Sequence, residues 1–120
     1  MSDQSKLPPL KQRRFAVILM ALFFGFALGH VFATQYLAKQ VRYQDAFMGT
    51  PLTVDKATKV KIYKPWTIHT FSKTYYGRPL SNALIHQAYG VLGMTLLVHF
   101  GLGLAFAFKL KDQAFKTSHG

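Results

Sequence analysis

Any chemistry in this chain would have to come from its histidines. There are five among 120 residues, beside four acidic residues and no cysteine. The carboxylates Asp3, Asp45, Asp55 and Asp112 are far apart in sequence, so no paired acids are offered for general acid–base work. The lack of cysteine removes disulfides, thiolate nucleophiles and cysteine-ligated metals. No phosphate loop, dinucleotide fingerprint or zinc helix motif occurs. His30 and His99 lie inside long uncharged runs. An ionisable group in a membrane-spanning run is a functional candidate by default, as a proton relay. The competing reading is structural: a neutral imidazole satisfied by a backbone carbonyl or a Thr of a neighbouring helix. His69 precedes the second run and His86 lies at its start, without acids nearby. These residues lead to the expectation that the chain catalyses nothing and holds no cofactor or metal.

The elements that must position these groups are set by the apolar runs. Residues 15–38 and 84–108 contain no Asp, Glu, Lys or Arg, and about 20 helical residues cross a hydrocarbon core. The expected fold is an all-α membrane protein, a two-helix transmembrane hairpin with a small extracytoplasmic loop region. Two buried helices of a soluble protein are the alternative, but burying both all round would need a larger chain. A cleaved signal peptide is another alternative for the first run, which exceeds the usual 7–15 apolar residues of such a signal. In the hairpin, His30 and His99 differ in depth by roughly 9 Å at 1.5 Å per residue, too far for a direct pair or a shared metal.

Charge placement orients the hairpin. The formal net charge is +11, from 15 basic residues. Seven lie in the tails 1–14 and 109–120 and eight in the longer segment 39–83. Basic density at the membrane boundary therefore favours both tails in the cytoplasm, although Lys39 and Arg42 at the outer end of the first helix oppose it. Gly25 and Gly29, then Gly93 and Gly101, are small-residue positions where helices can approach closely, within one chain or between chains. Thr34, Gln35 and Thr95 are expected to form interhelical hydrogen bonds.

The segment 39–83 has its own pattern. Residues 59–64, KVKIYK, alternate as a short strand would. Pro65 and Gly77 frame a short helix near 65–76, with Ile68, Phe71 and Tyr75 on one face. Tyr63, Trp66 and Tyr76 are rings of the kind that settle at headgroup depth. We read a helix lying on the outer membrane surface; an aromatic-rich loop closing over the hairpin is the alternative. Ser81 or Asn82 is expected to cap the second long helix.

Residues 61–79, KIYKPWTIHTFSKTYYGRP, followed by a Gly-rich apolar helix, resemble the N-terminal membrane region of type IV secretion coupling proteins of the TraG type. The resemblance rests on Tyr63, Pro65, Trp66, Phe71, Tyr75, Tyr76 and Pro79. Ser118-His119-Gly120 also looks like the opening of that family's cytoplasmic part. The resemblance implies an anchor and assembly region in the bacterial inner membrane, part of a longer polypeptide and assembled as a homo-oligomer, a hexamer. Its partners would be membrane lipids and other secretion subunits, with nucleic acid met only indirectly. The substrates would be relaxase-bound DNA or effector proteins. ATP and Mg would belong to an ATPase domain that these residues do not include. Two other classes compete. A free-standing two-pass accessory subunit fits the same helices, but as a pore it would need a longer polar stripe than His30, Thr34 and Gln35. A nucleic-acid binder fits the charge, but basic tails flanking a membrane engage anionic lipid.

Overall fold

The computed structural model describes residues 9–119, and side chains through Leu110. The expectations that rest on Lys6, on Lys111 and Lys116, and on the side chains of Ser118 and His119 and on Gly120 fall outside the described residues.

Helix α1 spans Leu10–Gln40, about 46 Å at 1.5 Å per residue. It starts where the Pro9 carbonyl accepts the Arg13 N–H. It ends without glycine. Arg42 and Tyr43 both take positive φ, and the Tyr43 N–H closes on the Ala38 carbonyl at 2.8 Å. Such non-glycine residues persist only where their surroundings hold them. Here the single Tyr63 O–H is shared between the Tyr43 carbonyl and the Asp45 carboxylate.

One turn of helix, α2 (Asp45–Met48), leads to two short strands, β1 (Thr53–Val54) and β2 (Lys61–Ile62). They pair antiparallel, Thr53 opposite Ile62 and Val54 opposite Lys61. The all-α expectation is corrected to this extent. The alternation in 59–64 yields a strand, but only two residues of it find a ladder partner. Asp55 shapes the turn by accepting the Ala57 N–H on its side chain.

Helix α3 (Thr67–Tyr75) buries Ile68 and Phe71. Helix α4 runs Pro79–His119, with Pro79 at the first helical position, where its missing N–H costs nothing. This corrects the expected start at Ser81 or Asn82. Asn82 instead accepts the Gly77 N–H on its side chain at 2.8 Å, holding the connection in which Gly77 has φ +106°. Leu10–Gln40 and Pro79–Leu110 are long and apolar enough to cross a membrane.

The described chain divides into two compact units. In the unit containing residues 26–96, Leu37, Met48, Tyr63, Ile68, Phe71 and Ile85 form a small core. The face of α3 read as lying on lipid packs into this core. Ile68 and Phe71 there join Leu37, Met48, Tyr63 and Ile85, which removes their apolar area from water. In the unit built from residues 1–25 and 97–120, α1 and α4 approach closely at two points. A Cβ on Gly25 would sit 2.7 Å from the Cβ of His99, and one on Gly103 2.7 Å from the Cβ of Ala21.

Candidate functional site: a polar junction between α1 and the cap

The segment from α2 to α3, called the cap below, is tied to α1 by three side chains on its last turns. Thr34 is fully buried. Its hydroxyl donates to the Pro65 carbonyl and accepts the Ile68 N–H at 3.3 Å. Helix α3 begins after Trp66, which makes no side-chain cap. A Ser, Thr, Asn or Asp at that position would accept the N–H of the second helical residue, which here is Ile68. Thr34 performs that task from another helix.

Gln35 does the equivalent for β2. Its amide NH₂ donates to the Lys61 carbonyl and its amide oxygen accepts the Tyr63 N–H, both at 2.9 Å. A side-chain amide thus satisfies two groups that a third strand would otherwise meet. Thr34 and Gln35 were expected to form interhelical hydrogen bonds; Thr34 does so with α3, whereas Gln35 bonds to the β2 segment. Thr95 donates to the Val91 carbonyl of its own helix.

His30 is buried, and its ring joins a chain of hydrogen bonds. His30 Nδ1 lies 2.8 Å from the Phe26 carbonyl oxygen. His30 Nε2 lies 2.7 Å from His69 Nε2, and His69 Nδ1 lies 2.8 Å from the Tyr89 hydroxyl. A carbonyl only accepts, so His30 carries its proton on Nδ1. Neutral His30 then accepts at Nε2, His69 donates from Nε2, and Tyr89 donates to His69 Nδ1. Burial, then the nearby His30 ring, hold the His69 imidazole below its ordinary value. His30 therefore finds both a backbone carbonyl and a second imidazole.

A surface anchor lies beyond this line. The Asp45 carboxylate accepts from Lys61 Nζ at 3.0 Å and from the Tyr63 hydroxyl at 2.9 Å. The Lys61 hydrogen bond, then the Tyr63 one, lower the Asp45 pKa. Burial, then the bond to Asp45, raise that of Tyr63.

The other singled-out residues separate. Gly25 lies against His99 and Gly29 against the Leu92 carbonyl. A Cβ on Gly93 or Gly101 would meet nothing within 4 Å, so neither packs against the rest of the described chain. His99 also lines an open, mostly apolar groove of about 600 Å³ with Met20, Phe24, Phe106 and Lys109. Of the loop aromatics, Tyr63 and Phe71 are buried, while Trp66 and Tyr76 are 60% and 66% exposed. Tyr75 stacks beside Phe71, with ring centroids 4.7 Å apart, and Pro65 supplies the carbonyl that Thr34 holds. Among the described residues, no group of three His, Cys, Asp or Glu side chains could hold a metal.

Sequence reasoning missed His69 and Tyr89 as partners of His30. They lie 39 and 59 residues away along the chain, and no spacing rule connects them. The class these features define is a mostly helical protein with two helices able to cross a membrane and a small ordered cap on them. No family model, curated protein or solved structure matches the chain.

Proposed function

We propose that the chain is a two-pass membrane anchor and assembly subunit. Helices α1 and α4 span the bilayer, both termini are cytoplasmic, and the cap stands on the outer face. One observation carries this reading. Large apolar side chains stay exposed along both helices, Phe23 at 69% and Leu97 at 64% among them. Apolar area left in water at about 25 cal/mol per Å² is a heavy cost, which lipid removes. The core of the cap is small, and its role is to present a fixed surface.

The exposed Trp66 and Tyr76 rings form the partner-facing part of that surface, since aromatic anchors dominate interfaces. The finer reading is the anchor region of a type IV secretion coupling protein, recruiting relaxase-bound DNA or effector substrates to the channel. The run from Tyr63 to Pro79 supports it. On this reading ATP chemistry belongs to a separate ATPase domain and none to these residues.

The test is co-purification from bacterial membranes after in vivo crosslinking from the exposed position 73. The wild-type chain is expected in the carbonate-resistant membrane fraction, with secretion subunits crosslinked to it. Trp66→Ala with Tyr76→Ala should lose the crosslinks and keep the membrane fraction. A chain recovered without detergent would overturn the anchor reading. Crosslinks to an unrelated membrane complex would overturn only the finer one.

A further inference from the structure

We propose that His30, His69 and Tyr89 form a proton-binding relay in which the two imidazoles share one exchangeable proton and release α3 from α1 on taking a second. This goes beyond the anchoring role and does not depend on it.

The hydrogen bonds dictate the behaviour. In the neutral chain every ring nitrogen is used: Tyr89 O–H to His69 Nδ1, His69 Nε2–H to His30 Nε2, His30 Nδ1–H to the Phe26 carbonyl. A proton from water enters when the Tyr89 hydroxyl rotates away from His69 Nδ1. The proton adds to that lone pair, and the new Nδ1–H donates to the Tyr89 oxygen. His69 is then the cation. Its Nε2 proton can cross the 2.7 Å to His30 Nε2, which leaves His69 neutral with its proton on Nδ1. The positive charge has moved from an exposed ring to a buried one. All three contacts survive in each of these states. A second proton breaks the pattern, because both Nε2 atoms then carry hydrogens that face each other, and two like charges lie on rings with centroids 4.9 Å apart.

The separation favours a proton over a metal. Two nitrogens bound to one tetrahedral zinc at about 2.0–2.1 Å lie about 3.3 Å apart, wider than the 2.7 Å here. The surroundings leave the pair to itself. His30 comes from α1, His69 from α3 and Tyr89 from α4. Lys73, four residues after His69, and His86, three before Tyr89, are exposed and bond to none of the three. Asp45 and Lys61 are engaged with each other. Among the described residues no carboxylate lies at the site to offset a doubly charged pair.

The sign follows from linkage. A folded state that binds fewer protons than the opened one loses stability as pH falls below the ordinary imidazole value of 6.5. With one proton of difference, the opening equilibrium rises up to tenfold per pH unit.

The experiment uses the full chain in lipid nanodiscs. Histidine ¹⁵N spectra at pH 8 should show His30 protonated on Nδ1 and His69 on Nε2. Between pH 8 and 5 the two rings should change together, as one coupled proton uptake. Protection of the Ile68 amide, corrected for intrinsic exchange, should fall up to tenfold per unit once a second proton enters. His69→Gln keeps an N–H donor and an oxygen acceptor in similar places and cannot titrate. It should retain the protection at pH 8 and show a weaker pH dependence, because one of the two imidazoles is gone. Identical tautomers at pH 8, or two independent titrations at the ordinary value, would overturn the proposal. So would an unchanged acid response in His69→Gln.

Discussion

The two units hold themselves together by different means. In residues 26–96, directional hydrogen bonds from Thr34, Gln35 and His30 meet groups on the cap, and a small core of Ile68, Phe71 and Leu37 closes around them. In residues 1–25 with 97–120, the approach rests on the absence of side chains. Gly25 admits His99, and Gly103 admits Ala21. The Arg14 guanidinium also lies there, 5.4 Å from the Phe108 ring centroid. Hydrogen bonds specify one partner, whereas a glycine notch accepts any surface of suitable shape. The first unit is therefore built to be unique, and the second to be close.

Five substitutions would break or sharpen that contrast. The largest loss should come from Ile68→Ala, which empties a fully buried site and costs about 2–5 kcal/mol. It should appear as faster amide exchange throughout α3, and an unaffected α3 would mean that the core does not hold the cap. Next, Gly103→Leu should cost roughly 1–3 kcal/mol by overpacking and lower the unfolding midpoint in detergent. Gly93→Leu should leave that midpoint unchanged. Should Gly93 face a second copy of the chain, native mass spectrometry would show the oligomer lost with Gly93→Leu.

Thr34→Val keeps the shape and removes the hydroxyl. It leaves the Ile68 N–H and the Pro65 carbonyl unpaired, at about 1–3 kcal/mol. Proteolysis between α2 and α3 should accelerate, and if it does not, the helix needs no cap from α1. The smallest effect belongs to Asp45→Asn. Because the folded Asp45 pKa is lowered, its stabilisation is present above about pH 3.8 and disappears as pH falls further. The wild type and Asp45→Asn should differ in melting temperature at neutral pH and converge in strong acid. A constant difference across pH would remove the carboxylate from the account.

The helical elements were legible because their signals are local. The uncharged runs 15–38 and 84–108 fall inside α1 and α4, which extend past them at both ends because helix geometry does not stop where apolar composition does. The frame of Pro65 and Gly77 encloses α3, and KVKIYK contains β2. Direction was harder. Ile68, Phe71 and Tyr75 share a face by periodicity, but periodicity is silent on whether protein or lipid covers it. Gly93 and Gly101 look like Gly25 and Gly29 in sequence, and only the rotation of α4 distinguishes them. The candidate site was half visible: His30 stood out as an imidazole in an apolar run, while its partner did not.

Hydropathy, charge and turn chemistry sum over neighbouring residues, so the chain alone dictated two long apolar helices, an ordered polar segment between them and a scarcity of acids. The pairings of His30 with His69, Thr34 with Pro65 and Ile68, and Gln35 with Lys61 and Tyr63 join residues 26 to 39 positions apart. Hydrogen bonds act over about 3 Å, so such pairs exist only after the backbone has folded back, and the three-dimensional arrangement alone chose them.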